Sequence, residues 1–482
     1  MKKLFLPVIL IALLFGACTN QSKSPPNIVF IIADDVSWND LGCYGNEDVQ
    51  TPFINRLARE GLKFNNVYLT ASSCSPSRTS IISGRYPHNT GSAELHTPLP
   101  GHLALFPEEL KKAGYYTAAS GKWHMGDAAK RAFDTLALEN IGQGGEDQWL
   151  TVLKKRPKDK PFFLWLASLD AHRDWSADTL PEPHDPGTLS IPDNLASHPA
   201  TKQDLASYYN EIARFDHFVG QVHREIIRQG EAPNTLIIVC ADNGRPFPGA
   251  KTRVNDAGMK TPFIAWWPQG IEDHGSEVDA LVSIIDLAPT LTSLAGLVPH
   301  KDYQGKSFAP LFRESDSTFR NVLFAEHNWH DYEAYERMCR TQDYLYIYNG
   351  RPNLANQGPA DAVSSPSMKD LKKLAAENRL TAIQAEALMR PRPEEELYYC
   401  MDDPEQMINL AADSAFREVL LEMRALLAEW QKETGDTQPT ELTRDWYLRD
   451  AETYIETEQH GIRGEMPGSA LRADTITGVA LF

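Results

Sequence analysis

Residues 71–85, Ala-Ser-Ser-Cys-Ser-Pro-Ser-Arg-Thr-Ser-Ile-Ile-Ser-Gly-Arg, set one thiol among serines, where a structural cysteine would normally have apolar neighbours. Ser75 and Pro76 predict a helix start, with Ser75 as N-cap and Pro76 at the first helical position, and the helix runs to Gly84. Cys74 then stands just ahead of a helix N-terminus, where free N–H groups and the dipole favour negative charge, and Arg78 lies in the first turn facing the same point. An unmodified cysteine there is expected to be a low-pKa nucleophile. Elsewhere, Asp34, Asp35, Asp242 and Asn243 offer hard oxygen ligands, which suit Ca²⁺ or Mg²⁺ better than a thiolate zinc site does. Lys122, His124 and His172 add cationic or proton-transferring groups. The chemistry this set could perform is the handling of an anion beside a hard metal ion.

Such residues must be carried to one place, and the surrounding sequence supplies the means. Asn-Ile-Val-Phe-Ile-Ile (27–32) reads as a buried strand ending in Ala33-Asp34-Asp35, and Tyr-Tyr-Thr-Ala-Ala (115–119) leads into Ser-Gly-Lys-Trp-His, with Lys122 and His124. Residues 161–168 end ahead of Leu-Asp-Ala-His172, and Thr-Leu-Ile-Ile-Val-Cys (235–240) ends at Ala-Asp242-Asn243. Apolar, β-branched runs alternating with helical patterns predict a parallel α/β sheet, in which strand C-termini share one edge and ligands bind there.

The chain has 482 residues, 42% hydrophobic and 23% charged, consistent with one large domain and a smaller one. Its net charge of -18 argues against nucleic acid as a partner, since no excess basic field is available to displace counterions. Lys2 and Lys3, an apolar stretch and Gly16-Ala17-Cys18 read as a secretory signal with a lipobox-like end, so the expectation is an exported protein, periplasmic or at the cell surface, lipid-anchored through Cys18. The expected organisation is a signal peptide (1–17), a tether (18–26), a catalytic domain (27–350) and a C-terminal subdomain (351–482). Five cysteines remain after Cys18, at spacings that suit neither a disulfide framework nor a zinc site, and Cys240 reads as core packing. Phe416, Val419, Leu420, Met423, Leu427 and Trp430 recur at helical spacing and predict a buried helix face in the C-terminal subdomain.

Cys74-x-Pro76-x-Arg78 followed by Gly84-Arg85 resembles the signature of the type I sulfatases. The resemblance implies an alkaline-phosphatase-like α/β sandwich with a large, mostly parallel central sheet and a smaller C-terminal α+β subdomain. It implies oxidation of Cys74 to formylglycine by a sulfatase-maturing enzyme, and Ca²⁺ held by Asp34, Asp35, Asp242, Asn243 and the modified Cys74. By the same resemblance Arg78 steadies the hydrated aldehyde, Lys122 and Lys251 bind the sulfate, His124 stands beside the formylglycine hydroxyl, and His172 (or Lys251) protonates the leaving atom. Ala171 departs from the family pattern, which has Pro before this histidine.

Asp-Asn-Gly-Arg-Pro-Phe-Pro (242–248), the region around Cys74 and the stretch Leu397–Asp413 are similar to the heparan N-sulfatase (sulfamidase) branch. The substrate implied is a sulfated oligosaccharide, with the N-sulfate of glucosamine in heparin or heparan sulfate leading and an O-sulfate on another glycosaminoglycan or algal polysaccharide as the alternative. His96 stands where that branch carries a histidine, and residues 324–340 could bring Glu326, His327, His330 and Arg337 to the pocket rim or form a solvated loop. Residues 350–368 read as a long Gly/Pro/Ser-rich loop. A phosphatase or phosphodiesterase of the same fold would use Thr or Ser and two zinc ions, and an inactive glycan-binding lipoprotein would be expected to have lost part of the set. The residues present argue against both.

Overall fold

The computed structural model describes residues 24–175, 182–354, 358–449, 453–455 and 463–468; the expected signal peptide and Cys18 lie outside the described residues. The strands run β1 (Asn27–Ala33), β2 (Leu62–Phe64), β3 (Val67–Tyr68), β4 (Tyr116–Gly121), β5 (Thr135–Ala137), β6 (Phe162–Ala167), β7 (Thr235–Ala241), β8 (Phe263–Trp266), β9 (Ser276–Val278) and β10 (Val282–Ser283). Four more follow: β11 (Val322–His327), β12 (Glu336–Thr341), β13 (Tyr344–Asn349) and β14 (Glu395–Tyr399). Eight of them form one sheet in the order β5-β4-β6-β1-β7-β8-β2-β9. From β5 to β7 every pairing is parallel, and the antiparallel partners β7·β8 and β8·β2 lie toward the far edge.

The central strands are apolar throughout because both faces are covered. Along β1, Ile28, Phe30 and Ile32 pack with Ile81, Ile82, Phe106 and Leu287 on one side. Val29 and Ile31 pack with Tyr208, Ile212, Phe215 and Val219 of the 30-residue helix Pro199–Arg228 on the other. Alternation with period two thus feeds two cores, the arrangement expected of a sheet sandwiched between helices. Cys240 is fully buried in the first core, as its apolar run implies. All five described cysteines are unpaired.

Strands β11 to β14 form a separate antiparallel sheet, covered by the helix Arg417–Thr434. Leu420, Met423, Leu427 and Trp430 are buried there against Phe324, Cys339, Tyr346 and Leu397, and Phe416 and Val419 pack at the margin. Three strands of this small sheet precede residue 350, so it begins at Val322 and the expected boundary between subdomains falls inside it. The fourth strand is contributed by residues beyond the intervening helices, which is why local composition gave no sign of the earlier start.

Candidate active site

The register of the parallel strands assembles the site. Ala33 pairs with Ala241, Ile32 with Ala167, and Ala167 with Gly121, so the four strand ends lie in one row. Asp34, Lys122, Ser168 and Asp242 are the next residues along each strand, and side chains separated by up to 216 positions in sequence meet at this edge. Gly121 adopts φ 93° there, and a Cβ would stand 1.7 Å from the Ala167 carbonyl oxygen, so only glycine lets the chain turn and aim Lys122 inward. Ala171 donates its N–H to the Asp34 carbonyl at 2.6 Å, a bond that proline could not make.

Cys74 is the first residue of the helix Cys74–Ser83 rather than the residue ahead of it. Ser73 is extended (φ -157°, ψ 129°), and Ser77 N–H closes the first turn onto Ser73 O at 2.9 Å. Pro76 therefore falls at the third helical position, still within the turn whose N–H groups need no helical partner. Ser75 does not cap the helix; its hydroxyl accepts the N–H of His96 at 2.8 Å. The Cys74 thiol, 2% exposed, lies 3.6 Å from Asp34 Oδ1 and 4.0 Å from Asp35 Oδ1. Burial pushes its pKa well above the ordinary thiol range despite Lys122 and Lys251, with Asp34 and Asp242 adding to the rise. The expected low-pKa thiolate is thus corrected: desolvation outweighs the helix dipole, and an unmodified Cys74 would be a poor nucleophile.

Three cations meet the three buried carboxylates. Arg78, fully buried, donates through Nε to Asp242 Oδ2 at 2.7 Å, with Nη2 3.8 Å from Asp34 Oδ1. Lys122 bonds Asp34, and Lys251 Nζ lies 2.7 Å from Asp35 Oδ2. Burial raises the Asp34 pKa, but Lys122, His172 and Arg78 together hold it well below the usual range. At Asp35 and Asp242 burial prevails over Lys251 and Arg78 respectively, and Asp242 is pushed up to about 6. One ligand atom each from Asp34, Cys74 and Asp242 lie within 4.8 Å of one another. The amide oxygen of Asn243 is buried without a hydrogen-bond partner, while its Nδ2 donates to Asp35 Oδ1 at 2.5 Å. Three carboxylates and an orphaned amide oxygen fit a hard dication such as Ca²⁺.

Above this floor stand four histidines, of which His330 is buried. His124 Nε2 and His96 Nδ1 are 2.8 Å apart, and the exposed His96 ring stacks on Trp446 at 5.8 Å. Burial and Lys122 bring the His124 pKa down to about 3, so this imidazole is neutral at physiological pH. His330 Nδ1 lies 2.7 Å from Ser73 Oγ, beside the nucleophile position. His172 sits at the mouth, with Nε2 3.9 Å from Asp361 Oδ2.

Asp361 escaped the sequence reading. It comes from the short helix Ala360–Val363, inside the stretch expected to be a featureless loop, and its Oδ2 also lies 3.3 Å from Lys251 Nζ. Pro359 followed by an acidic first turn is a helix-start signal, but nothing local says that the turn packs over a lysine 110 positions earlier. Asp361→Asn should lower kcat/KM for a sulfate ester about ten- to a hundredfold, the effect of weakening a charge-assisted contact by about 1.5–3 kcal/mol. Steady-state kinetics of the folded variant check this, and an unchanged kcat/KM would leave Asp361 a packing residue.

The structure corrects the reading of residues 324–340. Arg337 is fully buried and grips Asp436 through Nε and Nη2 at 2.6 and 2.8 Å, with Glu326 3.6 Å away. Glu326 also accepts from the His88 backbone N–H at 3.0 Å, and His327 lies 3.1 Å from Glu336. Glu326 links the small sheet to the turn after the helix Cys74–Ser83, while Arg337 and His327 pair within the small subdomain; of the segment's expected rim residues, His330 alone hydrogen-bonds beside Cys74, and His327 lines a cavity with it. Alternation along β11 and β12 turned them inward, and the partners Asp436 and His88 are far away in sequence.

This geometry is that of an anion-binding hydrolytic centre, and comparison with known proteins agrees. The sulfatase family model matches residues 26–143 and 146–297, and the chain belongs to the sulfatase family. A second model, that of the N-sulphoglucosamine sulphohydrolase C-terminal region, matches residues 250–348. The chain is 29% identical to human N-sulphoglucosamine sulphohydrolase, over 88% of this chain and 93% of that one. It is also 29% identical to an ulvan-active sulfatase of Formosa agariphila, over 87% and 77%. A protein solved with its substrate D-glucosamine-2-N,6-O-disulfate superposes with a TM-score of 0.66 at 21% identity, covering 85% of this chain and 98% of that one. The phosphonate monoester hydrolase of Agrobacterium radiobacter does so with a TM-score of 0.64 at 18% identity, covering 85% and 96%. The protein is a sulfatase, a hydrolase of sulfate esters or sulfamates, on an alkaline-phosphatase-like fold.

Proposed function

We propose that the substrate is the N-sulfate of glucosamine in heparin or heparan sulfate oligosaccharides. The observation that carries this is the match of residues 250–348 to the C-terminal region of the N-sulphoglucosamine sulphohydrolases, because that segment contributes Lys251 and His330 to the site. The second reading, O-sulfate removal from another polysaccharide, is favoured by the equal identity to the ulvan-active relative.

In this reading Lys122 and Lys251 hold the oxygens of the sulfuryl group, and their positive charge stabilises negative charge developing there. His172, at the solvent-facing mouth, donates a proton to the departing nitrogen or oxygen. His124, neutral and hydrogen-bonded to His96, accepts a proton at Nε2 or passes it to that neighbour. Arg78 keeps Asp242 oriented by its 2.7 Å bond. A Ca²⁺ held by Asp34, Asp35, Asp242 and Asn243 would supply Lewis-acid polarisation and two further positive charges. Formylglycine at position 74 would supply a hydrated aldehyde, one hydroxyl to take the sulfuryl group and a second to expel it. The burial of Cys74 supports its modification by a maturing enzyme before the chain has folded around it. An exported location, with the chain anchored through Cys18, accords with a polymeric substrate met outside the cytoplasm.

Sulfate release from defined glycans by protein co-expressed with a sulfatase-maturing enzyme tests the substrate. Release from N-sulfated glucosamine is expected, and release only from O-sulfated members would replace the N-sulfate reading with the second one. Chelation should lower activity at least tenfold, with recovery on adding Ca²⁺; indifference to chelator by a protein shown metal-free would remove calcium from the account.

A further inference from the structure

We infer a second oxyanion-binding site, separate from the Cys74 pocket, in a cavity of about 370 Å³. It lies where the edge of the large sheet meets the small one, and none of the residues placed around Cys74 lines it. Four of its arginines are more than nine-tenths buried: Arg245, Arg253, Arg340 and Arg392. In each, at least one terminal nitrogen is paired, and Arg392 is held at both ends, its Nη2 pairing with Glu396 at 3.1 Å. Arg245 Nη1 pairs with Asp40 at 3.0 Å, Arg253 Nη2 and Arg392 Nη1 share Glu386 at 3.0 and 2.9 Å, and Arg340 Nη1 donates to the Gln342 carbonyl at 2.9 Å. The Nε groups of all four, and Nη1 of Arg253, are buried with no hydrogen-bond partner.

Against these five donors the lining leaves one buried acceptor unsatisfied, Asp256 Oδ1, which sits 3.5 Å from Arg340 Nε. A buried donor without a partner costs about 1–3 kcal/mol, so the cavity is complementary to a ligand that brings several acceptor oxygens and few donors. Its volume lies within the range of small-ligand sites, about 300–1,000 Å³. Trp38, with the Lys260 ammonium 4.4 Å from its ring centroid, forms one wall and Tyr398 another. The ligand class is a sugar unit carrying a carboxylate or sulfate, or the free sulfate ion that the reaction releases. The segment that brings Asn243 and Lys251 to the Cys74 pocket also brings Arg245 and Arg253 here, so a bound oxyanion would brace that segment. The stretch Leu397–Asp413, which the Cys74 chemistry leaves without a role, contributes Tyr398, Cys400, Met401 and Gln406 to the wall.

Calorimetric titration of the intact protein with methyl β-D-glucuronide and with sodium sulfate tests the site without requiring turnover, so failure of the N-sulfate reading would not affect it. Ala257→Phe, which fills the cavity and keeps every arginine, and Lys260→Gln, a milder change of a half-buried side chain, should each weaken probe binding at least tenfold. Both should still hydrolyse 4-nitrophenyl sulfate, and Lys251→Ala should leave glucuronide binding intact. Binding of glucuronide alone would assign the cavity to a sugar unit, and equal binding of sulfate would assign it to the free ion. The inference is overturned if neither probe binds at millimolar concentration, or if binding survives both cavity variants and is lost in Lys251→Ala.

Discussion

Replacing Cys74 with alanine is expected to remove turnover, lowering kcat by about 10⁴–10⁶-fold, the scale at which loss of a covalent nucleophile is measured in hydrolases. The side chain packs in a small cluster with Leu95 and Trp329, so losing one sulfur costs stability of only about 1 kcal/mol and the variant should fold. Cys74→Ser gives the sharper result. A serine hydroxyl beside Asp34 could accept the sulfuryl group but has no second hydroxyl with which to expel it, so at most one equivalent should be released in a burst. Sustained turnover by Cys74→Ser would refute the need for formylglycine, and a peptide mass showing an intact thiol in fully active wild-type protein would do the same. The raised pKa of the buried thiol points the same way, because the unmodified residue would be largely protonated and unreactive at neutral pH.

Arg337→Met should destabilise the protein by about 3–5 kcal/mol, the usual consequence of removing one partner from a buried charge cluster. Asp436 and Glu326, both buried, would keep their charges and lose the guanidinium that now lies between them. The cluster joins β11 and β12 to the segment after the helix Arg417–Thr434, so the loss should appear in denaturant unfolding of the whole chain. KM for a sulfate ester, measured well below the unfolding temperature, should stay within about twofold, since Arg337 has no exposed surface toward the pocket. A large rise in KM with unchanged stability would return Arg337 to the role of substrate contact that its sequence neighbourhood suggested.

These two residues mark what could be read along the chain and what could not. Cys74 was legible because its chemistry is written locally: a thiol among serines, a proline and an arginine at helix-start spacing, and strand ends that carry Asp34, Lys122, His172 and Asp242. A parallel sheet needs no further information to bring such ends together, because strand direction alone puts them on one edge. The sulfatase resemblance and the buried face of the helix Arg417–Thr434 rest likewise on contiguous residues. Arg337 and Asp361 were not legible in this way. Whether an arginine on β12 faces a sugar or a carboxylate depends on where Asp436 arrives, 99 positions later, and whether Asp361 lies in a free loop depends on Lys251 and His172 being beneath it. The protonation of Cys74 was also out of reach, because the helix dipole can be inferred from local sequence whereas desolvation depends on everything packed around it. Local sequence was enough to identify the groups present, their strand and helix settings, and the edge on which the catalytic set gathers. Which charged residues face the pocket and which face each other came from the folded chain alone, because ion pairing and burial are properties of neighbours distant in sequence.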